Sequence, residues 1–207
     1  MAGQANLKMG QLGLSVDKYL RTSDPNIYAG GDLIEYPHWV TGKPSVGQLR
    51  PNAVIAGRVI ARNILGANIE YPGLINSFAT KFFDQSVAGT GLTEQQALAE
   101  GIETVSGTSA SASMHSMMRG RRPYTVKLIF EKATGKIIGG QIVSESDAAM
   151  KHIDVITAAM RGNLSALDLT TLRCAGQPEL SPDPGKEPIA RAAGEAYDAL
   201  KSNPALA

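Results

Sequence analysis

Apolar residues recur at three-to-four-residue spacing in several stretches, and this spacing predicts amphipathic helices. A helix is expected after Asn52, which would serve as its N-cap, and Gly66 would end it just beyond Leu65. Thr93 and Gln96 have the spacing of a capping box, which predicts a short helix to residue 100. Three further helices are predicted by the same reasoning: residues 147–161 with Asp147 as the cap, a short one after Ser165, and residues 187–202.

Shorter runs of β-branched and aromatic residues predict strands. These runs are residues 26–29, 78–87, 102–105, 124–131 and 136–143, with a turn expected at 89–91. Residues 132–135 join the last two runs and contain Gly135, so these runs are expected to form a hairpin.

The predicted strands cluster in residues 73–207 instead of alternating with helices. That order favours an α+β fold with a mainly antiparallel sheet. Residues 1–72 contain only one predicted strand and one predicted helix, which leave strand edges and a helix face unpaired. We therefore predict two parts, residues 1–72 and 73–207, and expect that the first cannot bury a core of this kind alone.

Composition excludes several classes of function. The 207 residues carry a formal net charge of +1, which gives no general attraction to nucleic acid or to an acidic membrane. An aromatic content of 5% argues against a stacking platform for single-stranded nucleic acid. The most apolar run, residues 53–61, is too short to span a bilayer, and the first eleven residues do not resemble a signal peptide. We therefore expect a cytoplasmic protein without membrane or nucleic-acid partners.

The candidates for metal and thiol chemistry have simpler structural explanations. His38, His115 and His152 have no second histidine or cysteine at ligand spacing, so no metal site is predicted, although residues 113–118 offer sulfur and imidazole that copper could use. Cys174 is the single cysteine, which excludes an intrachain disulfide and fits a reducing compartment. No histidine lies near it in sequence, so a packed thiol is favoured over a nucleophile.

Phosphate binding has little support in the pattern. Residues 119–122 contain three arginines that could hold a nucleotide or coenzyme A phosphate, but a solvated loop is favoured. The sequence contains no GxGxxG and no GxxxxGK[ST]. Asp32 is the most suggestive single residue, because a carboxylate just after two glycines is well placed to accept hydrogen bonds from ligand hydroxyls.

A known family shares these features. Residues 21–32, RTSDPNIYAGGD, resemble the second FAD-binding motif of the pyridine nucleotide–disulfide oxidoreductases, T-x-x-P-x-I-[YF]-A-x-G-D, and residues 53–63 resemble the helix that follows it. Residues 90–101 and 127–141 resemble the family's carboxyl-terminal dimerisation domain. The resemblance covers residues 14–197 and is strongest to the branch of NADH oxidases and coenzyme A–disulfide reductases.

The resemblance implies an enzyme in which FAD takes hydride from NAD(P)H and passes electrons to a disulfide, coenzyme A disulfide, polysulfide or oxygen. Residues 1–72 would be the end of the FAD-binding domain and residues 73–207 the dimerisation domain. The family's GxGxxG, redox cysteine and NAD-binding domain belong to an amino-terminal half, which would be a partner of this chain. The isolated chain is expected to be inactive and to retain no FAD. The alternative is a stand-alone, non-catalytic homodimerisation module.

The resemblance also implies roles for particular residues. Gly31 and Asp32 would bind the ribityl chain of FAD, and the amides near Leu49 and Arg50 would face the pyrimidine edge of the flavin. Gln177 stands where other members have the histidine of H-P-T-x-S-E, and glutamine cannot exchange a proton near neutral pH. Catalytic residues stay unknown, but Gln177 and Glu179 are expected to face the flavin of the partner in a homodimer.

Overall fold

The computed structural model describes residues 4–202, and the chain divides into two compact units, Met1–Asn76 and Ser77–Ala207. The second unit has the α+β architecture that the clustered strands predict. Helices and a five-stranded, fully antiparallel sheet make up this unit. No helix within the described residues is long and apolar enough to cross a membrane.

The sheet of the second unit has the strand order β3-β4-β7-β6-β5. Its strands are β3 (Phe78–Phe82), β4 (Gln85–Gly91), β5 (Thr104–Ala112), β6 (Pro123–Glu131) and β7 (Ile137–Ser144), and two-residue strands β1 (Tyr36–Pro37) and β2 (Pro44–Ser45) pair in the first unit. The helices are α1 (Arg50–Ile64) in the first unit and α2 (Glu94–Ala99), α3 (His152–Arg161), α4 (Ala166–Thr170) and α5 (Pro188–Lys201) in the second.

Helices α3 and α5 cover the same face of this sheet. Gly140 of β7 faces Ile156 of α3, and Gly107 of β5 faces Ala192 of α5. Both glycines pair with Leu128 of β6, and residues paired across strands point to the same face. The hydrophobic core of the second unit therefore lies between β6 and β7 and these two helices, where alternate residues of β6 are fully buried.

Two glycines allow covering segments to touch the sheet backbone. A Cβ atom on Gly107 would lie 1.9 Å from the carbonyl oxygen of Ala192, and one on Gly139 would lie 1.9 Å from that of Leu92. Neither distance is possible for a real side chain, so these positions require glycine. Gly107 thus allows α5 to pack closely on β5, and Gly139 allows the segment before α2 to pack closely on β7.

Several strands differ from their sequence prediction. The run 78–87 is a hairpin of two strands, with Phe83 at its turn in a left-handed conformation (φ +51°). Residues 89–91 are the end of β4 instead of a turn, because they pair with residues 139–141 of β7. The strand predicted at 102–105 continues to Ala112, since a Ser- and Ala-rich strand lacks the bulky residues by which strands are recognised.

The predicted starts of the helices are confirmed in part. Thr93 and Ser165 form capping boxes with Gln96 and Asp168. The Asp147 prediction is wrong: this residue begins a 3₁₀ turn, Asp147–Lys151, and α3 follows it. Its carboxylate instead accepts hydrogen bonds from Ser86 Oγ and Lys81 Nζ, each at 2.6 Å, so it joins the turn to the β3–β4 hairpin.

The first unit is built mostly from irregular segments. The strand predicted at 26–29 is absent and leaves a single bridge between Tyr28 and Arg21. Asn52 lies buried inside the first turn of α1, where its Nδ2 donates to Asn76 Oδ1 at 2.9 Å, and Leu49 is the N-cap.

Contrary to expectation, the first unit does bury a small core, which loops build together with α1. Its members are apolar and at least nine-tenths buried: Leu14, Leu20, Ala29, Ile34, Tyr36, Ala56, Val59, Tyr71 and Leu74.

The packing of α5 on β5 gives the first prediction. Gly107→Ala should lower the free energy of unfolding by about 1–3 kcal/mol, because the methyl group would force α5 away from the sheet. Gly194→Ala in α5 is the matched control: nothing lies within 4 Å of its Cβ, so the helix should gain about 0.5–1 kcal/mol. Urea denaturation measures both, and equal effects of the two substitutions would show that the contact is unimportant.

Candidate functional site

The segment that carries Asp32 lies directly on helix α1. A Cβ atom on Gly30 would lie 2.9 Å from the Cβ of Ala56, and one on Gly31 would lie 3.4 Å from the Cβ of Ala53. Gly31 also has a left-handed backbone (φ +81°), which glycine adopts at little cost. These features place the 3₁₀ turn Gly31–Leu33 beside the first two turns of α1, with Asp32 exposed on it.

Tyr36 holds this turn by a hydrogen bond, a role that the sequence does not predict. Its buried hydroxyl accepts a hydrogen bond from the Gly31 N–H at 2.7 Å, and its ring packs against Tyr71 with centroids 4.9 Å apart. Burial raises the pKa of Tyr36; the hydrogen bond from Gly31 opposes this and the Asp32 charge adds to it. The hydroxyl therefore stays protonated and fixes the backbone just before Asp32.

The amino terminus of α1 begins at Arg50 and has no side-chain cap. Leu49 occupies the N-cap position, Pro51 lies in the first turn, and the first turn contains no acidic residue. Backbone N–H groups at such a terminus carry partial positive charge and favour an electron-rich ligand edge. The structure thus brings Gly31 close to the turn that starts with Leu49 and Arg50.

This set of groups is compatible with a flavin nucleotide. An exposed carboxylate accepts hydrogen bonds from a polyhydroxylated chain, and an uncapped helix terminus favours a carbonyl or anionic edge. The glycines before Asp32 let this turn lie directly against Ala53 and Ala56 of α1, which keeps the carboxylate close to the helix terminus.

In the second unit, Gln177 and Glu179 belong to one self-contained turn. The Gln177 side-chain oxygen accepts from the Glu179 N–H at 2.7 Å, and its backbone oxygen accepts from the N–H groups of Leu180 and Ser181. Ser181 Oγ accepts in turn from the Gln177 N–H at 3.0 Å. Gln177 is exposed, and its side-chain amide can form hydrogen bonds but cannot transfer a proton near neutral pH.

The histidines make contacts within the protein. His38 Nδ1 accepts from the Val40 N–H at 3.2 Å. His115 Nδ1 accepts a hydrogen bond from the Met117 N–H. His152 Nδ1 forms a hydrogen bond with the Tyr124 hydroxyl at 2.7 Å. Within residues 4–202, no three side chains of His, Cys, Asp or Glu lie close enough together to hold a metal ion.

The arginine cluster is partly engaged within the protein. Arg121 donates to the carbonyl of Ser116, and Arg122 lies 3.8 Å from Glu145. Both contacts tie this loop to neighbouring protein groups, as in the solvated loop that the sequence favours.

Cys174 lines a cavity of about 510 Å³ between α3 and the segment that leads into α5. His152 and Glu187 also line it, and the buried Tyr124 lies behind His152. Partial burial, assisted by the Glu187 charge, raises the pKa of the Cys174 thiol. Burial, with smaller effects of Glu187 and Cys174, raises that of Tyr124. The thiol is therefore protonated at neutral pH. Cys174 is nevertheless an exposed residue, so the packed thiol that the sequence predicts is wrong: the segment before α5 lies on the surface here.

Comparison with known proteins agrees with this fold. Residues 77–187 match the model of the pyridine nucleotide-disulphide oxidoreductase dimerisation domain, and the chain belongs to this family. The match covers the sheet and helices of the second unit up to the cap of α5. It confirms the resemblance seen in residues 90–101 and 127–141.

The relatives are oxidoreductases and are longer than this chain. The NADH oxidase of Methanocaldococcus jannaschii is 31% identical over 98% of this chain and 44% of its own length. The structure of an NAD-dependent persulfide reductase from A. fulgidus is 34% identical, with a TM-score of 0.90 over 97% of this chain and 37% of its own. An FAD-dependent member from Desulfovibrio vulgaris is 28% identical, with a TM-score of 0.75 over 96% and 45%. The chain spans less than half the length of each.

The raised pKa of Cys174 gives a second prediction. Alkylation by iodoacetamide needs the thiolate, so its rate should reach half its maximum above about pH 8.5, the ordinary thiol value. Glu187→Gln keeps the cap on α5 but removes the charge, and it should lower this midpoint. Glu179→Gln removes a charge from the neighbouring turn and should leave it unchanged. Cys174 is the only thiol, so the rate reports it alone; a midpoint at or below the ordinary value would contradict the assignment.

Proposed function

We propose that this chain is the carboxyl-terminal part of an FAD-dependent NAD(P)H oxidoreductase whose acceptor is a disulfide, coenzyme A disulfide, polysulfide or oxygen. The relatives include an NADH oxidase, a persulfide reductase and a coenzyme A disulfide reductase, and these activities support this range of acceptors. The chain would supply the ribityl-binding carboxylate and the dimer interface.

The observation that carries the proposal is the Gly31–Asp32 turn seated beside the uncapped start of α1. Asp32 would accept hydrogen bonds from ribityl hydroxyls, and the N–H groups near Leu49 and Arg50 would face the pyrimidine edge. When bound, FAD supplies hydride acceptance from NAD(P)H and electron transfer to the acceptor. The protein's own contribution here is to orient the flavin and to favour negative charge at its pyrimidine edge.

The exposed apolar side chains around this turn suit a further protein surface. Leu33 is 57% exposed, and Val54 and Ile55 of α1 are 43% and 40% exposed. Large exposed apolar residues on the turn and on the helix that it packs on suit an interface. We assign this surface to the FAD- and NAD-binding half of the enzyme.

Gln177 and Glu179 would act from the second unit. Their exposed turn would face the flavin of the partner subunit across a two-fold axis. Gln177 would donate a hydrogen bond from its amide there without exchanging a proton.

The proposal can be tested in a chimera. This chain replaces the segment that it matches in the FAD-dependent Desulfovibrio vulgaris protein, and flavin absorbance is measured after purification. The chimera should retain FAD, whereas the isolated 207-residue chain should be colourless. Asp32→Ala should weaken FAD affinity about 10- to 100-fold, because hydrogen bonds to a charged group are lost.

Asp84→Ala is the matched control, since Asp84 lies on the exposed turn between β3 and β4. It should leave FAD affinity unchanged. Normal FAD retention by the Asp32→Ala chimera would contradict the assignment of Asp32. A folded chimera that never binds FAD would favour the stand-alone dimerisation module instead.

A further inference from the structure

The Gln177–Ser181 turn is fastened to the loop between β5 and β6. The carbonyl of Pro178 accepts a hydrogen bond from the His115 N–H at 2.9 Å. Two residues beyond the turn, Asp183 Oδ1 lies 2.5 Å from His115 Nε2 and accepts from Ser116 Oγ at 3.1 Å. The β5–β6 loop is thus bonded to the segment 177–183 twice, by the backbone of Pro178 and by the side chain of Asp183.

Asp183 is the centre of these contacts. Its side chain is only 17% exposed, although the segment before it, residues 173–180, is exposed throughout. Besides His115 Nε2 and Ser116 Oγ, the Ser116 N–H approaches Oδ1 at 3.4 Å, and Lys186 Nζ lies 3.1 Å from Oδ2. Desolvation opposes the charge of this carboxylate, but hydrogen bonds from Lys186 and Ser116 outweigh it and lower the pKa of Asp183.

The hydrogen bonds of His115 show that His115, Ser116 and Asp183 have a structural role and do not activate a serine nucleophile. Its Nδ1 accepts from the Met117 N–H at 3.3 Å, so Nδ1 carries no proton and Nε2–H donates to Asp183. Ser116 Oγ donates to the carboxylate and not to the imidazole. A serine nucleophile would need the imidazole as its base.

We propose that Asp183 is a positioning residue that fixes the Gln177–Ser181 turn by holding it to the β5–β6 loop. The turn is closed by its own hydrogen bonds, so its shape does not depend on Asp183. Its position does depend on Asp183, because the contacts of Asp183 and Pro178 join the turn to the β5–β6 loop. The importance of that location for catalysis rests on the proposed function, in which this turn faces the partner's flavin.

Amide hydrogen exchange, measured by mass spectrometry on the 207-residue chain, tests the proposal. Asp183→Ala should accelerate exchange in residues 115–118 about tenfold, because the Ser116 N–H loses its charged acceptor and the bond from the His115 N–H to the Pro178 carbonyl is no longer held in place. Residues 177–181 bond within their own turn and should change little. Asp183→Asn keeps an oxygen that accepts from Ser116 and His115, and exchange should return to within about twofold of the original. Asp154→Ala, an exposed aspartate paired with Lys151, should change neither segment.

Each contrary result overturns the proposal. Unchanged exchange in residues 115–118 of Asp183→Ala would show that another contact places the turn. Equal acceleration in β6 and α5 would show a general loss of stability, and failure of Asp183→Asn to restore protection would show that the oxygen acceptor is not what matters. None of these results depends on flavin, so a failure of the chimera to bind FAD leaves this test intact.

Discussion

The second unit depends on direct contact between sheet backbone and the segments that cover it. Gly107 and Gly139 permit this contact, because any side chain there would overlap a carbonyl oxygen. With α5 seated on β5, its first residue is fixed, and the Glu187 side chain caps it through the Ala190 N–H at 2.6 Å. The exposed segment before α5 is therefore anchored at its carboxyl end by helix packing and through its middle by Asp183.

The first unit is held together in another way. Its core comes from loops, and its order comes from single hydrogen bonds such as that from Gly31 to Tyr36. Glycines again matter, since Gly30 and Gly31 let a loop lie on α1. Both candidate sites are thus irregular segments placed by neighbouring structure: the Asp32 turn lies on α1, and the Gln177–Ser181 turn is held to the β5–β6 loop.

The sequence predicted what short-range chemistry controls. The capping box at Thr93, the helix start at Ser165 and the 132–135 hairpin involve neighbours in the chain and are confirmed. The predictions that were wrong concern positions whose structure depends on residues far away in the chain. Residues 89–91 are strand because they pair with β7, and the Asp147 carboxylate bonds Lys81 and Ser86 instead of capping a helix. In the candidate sites, Asp32 was visible in a motif. Tyr36 accepts its hydrogen bond from Gly31, 5 positions away, and Asp183 accepts one from Ser116, 67 positions away. No pattern in the sequence predicts either contact.

The central claim is that this chain carries the self-association surface of its family. Its second unit has the family's fold over residues 77–187, and such a domain is expected to form a two-fold symmetric pair. Sedimentation velocity of the isolated chain at micromolar concentration tests this claim most directly. A species of twice 21.8 kDa is expected. A single species at the monomer mass across the micromolar range would contradict it.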